Sequence, residues 1–252
     1  SSDLYFPLIT NYGIEARIFV DYAVDTLHAK TGAIFYQNDD FGKDGYQAAL
    51  EEAKKKGLEI VAEVPYNTTD VDFSPYAQKI KQANADVIFG FTVPKPGAAF
   101  WKEVAKIGAK KPFFSTYVTG ADTVMYDLAG KDAWEGTYST TFMPSTEETD
   151  DPKVAEFIEW YKKKNSDAPS GFAEWGWAYA QVFTEIVKRC GDDLSWENFY
   201  KQAETLKDWD GGLPFKVTYS PTNRYGQTTV YLIQAKGGKL EKVSDPITYE
   251  VK

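Results

Sequence analysis

AIFYQNDDFGKDGYQ, residues 33–47, changes character twice. Ala33–Tyr36 is an unbroken apolar run, which suits a short strand buried on both faces. Asn38, Asp39 and Asp40 then make a polar turn. Gly42–Lys56 reads as a helix that closes with KKKG, cations in the last turn and a glycine stop. Strand, turn, helix is the repeating step of a parallel α/β sheet. The turn also raises a chemical question, because the aromatic Phe41 follows the acids where a polar residue is the rule. A nucleotide site, a metal site, a catalytic carboxylate pair and the wall of a binding cleft are the readings to weigh.

Working outward, the same step recurs. Ile14, Ile18, Tyr22 and Val24 have helical spacing within 14–27. LEIVAEVPY (58–66) alternates as a strand. DFSPYAQKIKQANA (72–85) reads as a helix with Ser74 as its cap and Pro75 in its first turn. DVIFGF (86–91) is a buried strand, 98–107 a helix, PFFSTY (112–117) a strand, 121–130 a helix and EGTYSTTF (135–142) a strand. The expected fold class is therefore α/β, a parallel sheet with helices on both faces and right-handed crossovers.

Character changes near MPSTEETDDPK (143–153). Helices follow in succession at 152–164, 171–189 and 196–206, with no strand between them. Trp175, Tyr179, Val182 and Ile186 recur at helical spacing and read as a core face. Two strands close the sequence, TTVYLIQA (228–235) and KLEKVSDPITYEV (239–251), joined by KGG, a hairpin signal.

Composition removes several kinds of chemistry. Of 252 residues, 37 are acidic and 28 basic, a net charge of −9, which disfavours nucleic acid as a partner. Hydrophobic residues make up 43%, enough for a real core. No run approaches 18 apolar residues, so no segment reads as membrane-spanning. The sequence opens SSDLYFPLIT, without a basic start or an apolar stretch of signal-peptide type. Cys190 is the single cysteine and reads as a buried small hydrophobe, and His28 is the single histidine. That leaves no disulfide framework, no thiolate or histidine metal cluster and no histidine-based triad beyond one residue. No glycine-rich phosphate loop follows a strand, so no nucleotide cofactor is expected. Asp39, Asp40, Asp44, Asp70 and Asp72 lack the spacing of a calcium loop, and no metal is expected. Asp39 or Asp40 reads as the cap of the following helix.

Ligands in open α/β sheets bind at the carboxyl ends of strands. The residues there are Phe41, Tyr66–Asn67, Thr92–Val93 and Tyr117–Thr119, a mixed aromatic and hydroxyl surface suited to a small organic molecule. No nucleophile and base stand together among them, so no catalytic residue is assigned. The alternatives are a carboxylate-dependent hydrolase and a ligand-sensing receptor domain without a transporter.

Four stretches taken in order, YQNDDFGKDG, ADVIFGFTVPKPGAAFWKEVAKIG, RCGDDLSWENFYKQAETLKD and KVTYSPTNRYG, resemble the leucine/isoleucine/valine-binding-protein-like family. These are type I periplasmic solute-binding proteins of ABC transporters, non-enzymatic, with two α/β lobes around a cleft. The resemblance implies that LYFPLITNYGIEARIFVDYA is the entry into lobe 2 and that the half building most of lobe 1 is absent. Residues 1–144 are then lobe 2, 145–226 a helical segment belonging to lobe 1, and 227–252 a hairpin returning towards lobe 2. The ligand-binding set implied is Phe41, Thr92, Val93, Tyr117 and Thr119, with Phe172 from the helical segment. Tyr117 stands where amino-acid binders place an acid against the ligand's ammonium, which points to an aromatic or otherwise apolar carboxylate as ligand. The implied partners are that small molecule and a membrane permease, with the absent half or a second copy covering the helices. The implied location is periplasmic or extracellular, with a lipid anchor compatible with the full-length form.

Overall fold

The computed structural model describes residues 5–146 and 148–249. Ser1–Leu4, Glu147 and Glu250–Lys252, which include the end of the last expected strand, lie outside the described residues. The chain divides into two compact units. A sheet unit holds Asn11–Thr141 and Tyr231–Asp245. A helical unit holds the residues up to Thr10, Phe142–Val230 and those from Pro246 on.

In chain order the sheet unit begins with α1 (Tyr12–Asp25), β1 (Thr31–Gln37), α2 (Asp40–Lys56), β2 (Glu59–Tyr66), α3 (Ser74–Ala83) and β3 (Val87–Phe91). It continues with α4 (Pro94–Lys106), β4 (Phe113–Ser115), α5 (Tyr117–Gly120), α6 (Val124–Ala129), α7 (Lys131–Trp134) and β5 (Tyr138–Thr141). The helical unit supplies α8 (Pro152–Lys164), α9 (Gly171–Cys190) and α10 (Trp196–Ala203). Last come β6 (Thr229–Lys236), β7 (Lys239–Lys242) and β8 (Ile247–Thr248).

The strand order is β2-β1-β3-β4-β5-β6-β7. Pairing is parallel from β2 to β5 and antiparallel on either side of β6. β8 pairs with Thr229 and Val230 at the start of β6. The neighbours of β1 are thus β2 on one side and β3 on the other, which makes the β1/β3 boundary a topological switch point.

β1 shows why its sequence lacks alternation. Ala33 and Phe35 face a core built with α3, α4, α6 and α7. Phe35 stacks on Phe100 at 3.7 Å and on Tyr66 at 4.8 Å. Tyr36, on the opposite face, stacks on Tyr46 of α2 at 4.2 Å. A strand covered on both faces needs apolar residues at every position. On the α1 side, Phe19 and Tyr22 meet Phe114 of β4 at 5.4 and 6.2 Å.

Some boundaries differ from the sequence expectation. Ser74 is not a cap: Phe73 holds that position, and Asp72 accepts from both the Ser74 N–H and its hydroxyl. Helix α4 starts at Pro94 rather than 98, because Pro94 and Pro96 sit in the first turn, where a missing N–H costs nothing. β4 stops at Ser115, and Tyr117 opens a short helix instead of ending a strand. Pro246 precedes β8, and the final expected strand is two short ones.

In the helical unit, α9 buries Glu174, Ala178, Val182, Ile186 and Cys190, one residue every fourth position. Tyr179, expected in that face, is 41% exposed, and its hydroxyl lies 3.4 Å from the Leu8 N–H that donates to it. Phe172 and Phe183 share the exposed side of α9. Cys190 is free and buried, as its composition suggested.

Candidate functional site

Asp39 and Asp44 of the opening stretch each accept a backbone N–H. Asp39 caps α2, with Oδ1 accepting from the Gly42 N–H at 3.1 Å. Its Oδ2 takes the Gln37 side-chain amide, and Gln37 Oε1 accepts from the Tyr66 hydroxyl at 2.9 Å. Asp40 lies in the first turn of α2, where a negative charge opposes the positive helix end. Asp44 reaches across to α1, accepting the Gly13 N–H at 3.1 Å, while Asn11 caps α1 through Ile14. Asp70 and Asp72 cap local turns. Among the described residues, no group of three or more His, Cys, Asp or Glu is placed to hold a metal ion.

The two glycines of FGKDG set how closely α2 approaches the sheet. A Cβ on Gly42 would stand 2.1 Å from the Gln37 carbonyl oxygen and 2.7 Å from its nitrogen. A Cβ on Gly45 would stand 2.2 Å from the Phe91 ring. Backbone cannot step aside as a side chain can, so Gly42→Ala is expected to cost about 3 kcal/mol, the upper range for overpacking. Urea unfolding checks this; a loss below about 1 kcal/mol would show that α2 slides freely on β1.

That close approach carries Phe41 to the carboxyl end of β1. Its ring meets Tyr12 edge-on at 4.6 Å, and Tyr12 stacks on Tyr117 at 5.3 Å with planes 7° apart. Three elements, α1, the start of α2 and the start of α5, thus bring three aromatic rings together beside the β1/β3 switch point. The two predicted residues Phe41 and Tyr117 meet through Tyr12, which sequence reasoning did not select. The signal was present: Asn11 is a strong capping residue, which places Tyr12 inside the helix rather than before it.

Thr92 and Thr119 also come together. Both are buried, with hydroxyls 3.4 Å apart. The Thr92 carbonyl accepts from the hydroxyls of Thr116, at 3.0 Å, and Thr119. These bonds fasten α5 to the end of β3. Val93 is half-buried at the N-cap of α4. Phe172 belongs to the helical unit, 46% exposed, with its ring 4.9 Å from Trp175.

Tyr117 has a further anchor that the sequence did not reveal. Its N–H donates to Glu15 Oε1 at 2.7 Å, and the same oxygen accepts from the Thr140 hydroxyl. Glu15 is fully buried, and burial pushes its carboxyl up from 4.5 to about 8, against the opposing effect of those two bonds. Burial thus favours its neutral form beside the aromatic cluster.

The family described as periplasmic binding protein matches residues 1–239. A Leu/Ile/Val-binding protein homolog of Brucella abortus is 25% identical over 263 residues, covering 93% of this chain and 65% of its own length. Among solved structures, a branched-chain amino acid ABC transporter protein of Thermus thermophilus with bound valine superposes with a TM-score of 0.87 at 21% identity. It covers 97% of this chain and 67% of its own. A solute-binding protein from R. palustris in complex with benzoate gives a TM-score of 0.78 at 19% identity, over 95% of this chain and 65% of its own. These relatives are described as binding or transporter proteins, not enzymes, and the chain spans about 65% of the length of the curated ones. With a match that extends over both units and a parallel sheet of the same fold, the chain belongs to the periplasmic binding protein family.

Proposed function

We propose that this chain is the ligand-binding part of a solute receptor, and that Tyr12, Phe41 and Tyr117 form one wall of its site. The observation that carries the reading is the meeting of those three rings at the carboxyl ends of β1 and β4, beside the switch point where open α/β sheets bind ligands. Val93 extends the wall from the end of β3, and Thr92 and Thr119 serve it by holding the segment that bears Tyr117. In this reading the receptor works in the periplasm or outside the cell and passes its ligand to a membrane permease.

The wall is aromatic, and burial favours the neutral form of the acid that reaches it. An α-ammonium placed here would lose water without gaining a counter-charge, which is costly. The ligand class that fits is a small carboxylate with an aromatic or apolar body. The benzoate complex of the R. palustris protein supports that class, and the valine complex of the Thermus thermophilus protein supplies its competitor.

Ligand binding to the native state raises apparent stability, so thermal-shift screening tests the choice. Benzoate and related aromatic acids are expected to raise the Tm, with leucine and valine giving no shift; the reverse pattern overturns the assignment. With the ligand in hand, Phe41→Ala is expected to weaken binding by about 1–3 kcal/mol, the scale of one buried apolar side chain. Calorimetry measures it, and unchanged affinity removes Phe41 from the wall.

A further inference from the structure

Glu15 is a fully buried carboxyl group in the first turns of α1, and its role follows from what it joins. Oε1 receives the Tyr117 N–H at 2.7 Å and the Thr140 hydroxyl, linking α1 to α5 and β5 across 102 and 125 residues of sequence. Oε2 is equally buried and has no hydrogen-bond partner among the described residues. An apolar residue of similar size would avoid the cost of burying a carboxyl group, so the bonds Glu15 makes are what set it apart. Glu15 also lies one helical turn beyond Tyr12, whose ring stacks on Tyr117. α1 therefore grips Tyr117 twice, at its ring and at its backbone.

We propose that Glu15 is a positioning residue for ligand binding: through its bond to the Tyr117 N–H it fixes where α5 starts and so holds the Tyr117 ring flat on Tyr12. This deepens the proposed function and rests on it. Thr116 and Thr119 restrain the same four-residue helix from the side of β3. α5 is too short to hold its own position, because a single turn cannot propagate. Glu15 acts as a cap supplied from another element, where Thr116, at the N-cap position, makes no side-chain cap bond. The useful chemistry is an acceptor without charge, which both a neutral carboxyl and an amide provide.

The test compares Glu15→Leu with Glu15→Gln, reading the Tyr117 amide by hydrogen exchange in the absence of ligand. Glu15→Leu is expected to lower protection of that amide about tenfold while amides in β1 keep theirs, the scale of one hydrogen bond to a buried acceptor. Glu15→Gln is expected to restore it, because Gln keeps the acceptor oxygen. Should Glu15→Leu not fold, Glu15→Ala removes the acceptor without adding bulk and retains the best helix former. Unchanged Tyr117 protection in the Leu or Ala variant overturns the proposal, as does a Gln variant that loses as much as they do. Titration with benzoate and with valine then follows the same series: affinity for the probe that wild type binds should fall about tenfold in the Leu or Ala variant and recover with Gln. Equal affinity in all variants also overturns it. If neither probe binds wild type while the amide responds as expected, the aromatic-wall reading fails and the coupling of Glu15 to Tyr117 stands.

Discussion

Trp101→Ala is expected to lower the stability of the sheet unit by about 3–5 kcal/mol, the range for removing a large buried aromatic side chain. Trp101 is 1% exposed, stacks on Phe113 at 4.1 Å and packs among the residues between the sheet and α4. Its indole N–H donates to the Ala133 carbonyl at 2.7 Å, which ties α4 to α7. Two contributions can be separated. Trp101→Phe keeps most of the volume but strands that carbonyl, and should cost about 1–3 kcal/mol. Trp134 provides the control: it is equally buried, but its indole nitrogen has no partner among the described residues. Trp134→Phe should cost less than Trp101→Phe, because it removes a donor that is already unpaired. Urea unfolding followed by far-ultraviolet circular dichroism measures all three. Equal costs for the two Phe variants would show that the bond to Ala133 contributes nothing.

Stability is also expected to fall as pH rises from about 4.5 to about 8. Burial lifts the Glu15 carboxyl to about 8, and burial together with the charges of Glu148 and Asp151 lifts Glu174 to about 8. In that window the native state keeps protons that the unfolded chain has released. The native state therefore binds more protons than the unfolded one, and each such group removes about 1.4 kcal/mol per pH unit. The loss begins above the ordinary glutamate value of 4.5 and levels off once the folded carboxyls ionise. Glu15→Gln should remove its share of the slope and leave that of Glu174. The variant should match wild type near pH 5 and exceed it near pH 8 by several kcal/mol. Unfolding free energies at pH 5, 6.5 and 8 decide the matter; parallel profiles for the two proteins would show that Glu15 ionises normally.

The alternation of strands and helices from residue 14 to 142 was legible because strands buried on both faces write apolar runs, and AIFY and DVIFGF are such runs. Phe41 was legible for the opposite reason, an aromatic breaking a polar turn. Tyr117 was identified as a residue of interest but given the wrong local structure, since PFFSTY reads as one strand until α5 begins at its last residue. Tyr12 was missed because the apolar spacing begins at Ile14. Glu15 was invisible in principle: an acid in a first helical turn ordinarily faces water, and its hydrogen-bond partners Tyr117 and Thr140 lie more than a hundred residues away. On α9 the spacing found Val182 and Ile186 but assigned Tyr179 to the same face, because period alone does not say which of two adjacent apolar rows turns inward.

The sheet is completed by a strand made long after its neighbour. β5 ends at Thr141 and its antiparallel partner β6 begins at Thr229, with the helical unit's main segment lying between them. During synthesis at roughly 5–20 residues per second, several seconds pass before β6 can leave the ribosome. For that interval β5 is an open edge, with backbone donors and acceptors ready for any extended segment nearby. Closing a loop of this length adds an entropic cost that grows only slowly with length, so the delay matters more to kinetics than to final stability. A nascent chain halted before Tyr231 would carry β1–β5 and all three helices of the other unit, yet lack the strands that cover this edge. The short C-terminal stretch 231–245 thus acts as a latch on biogenesis: until it arrives, the sheet unit is exposed to misassembly with other chains at its β5 edge.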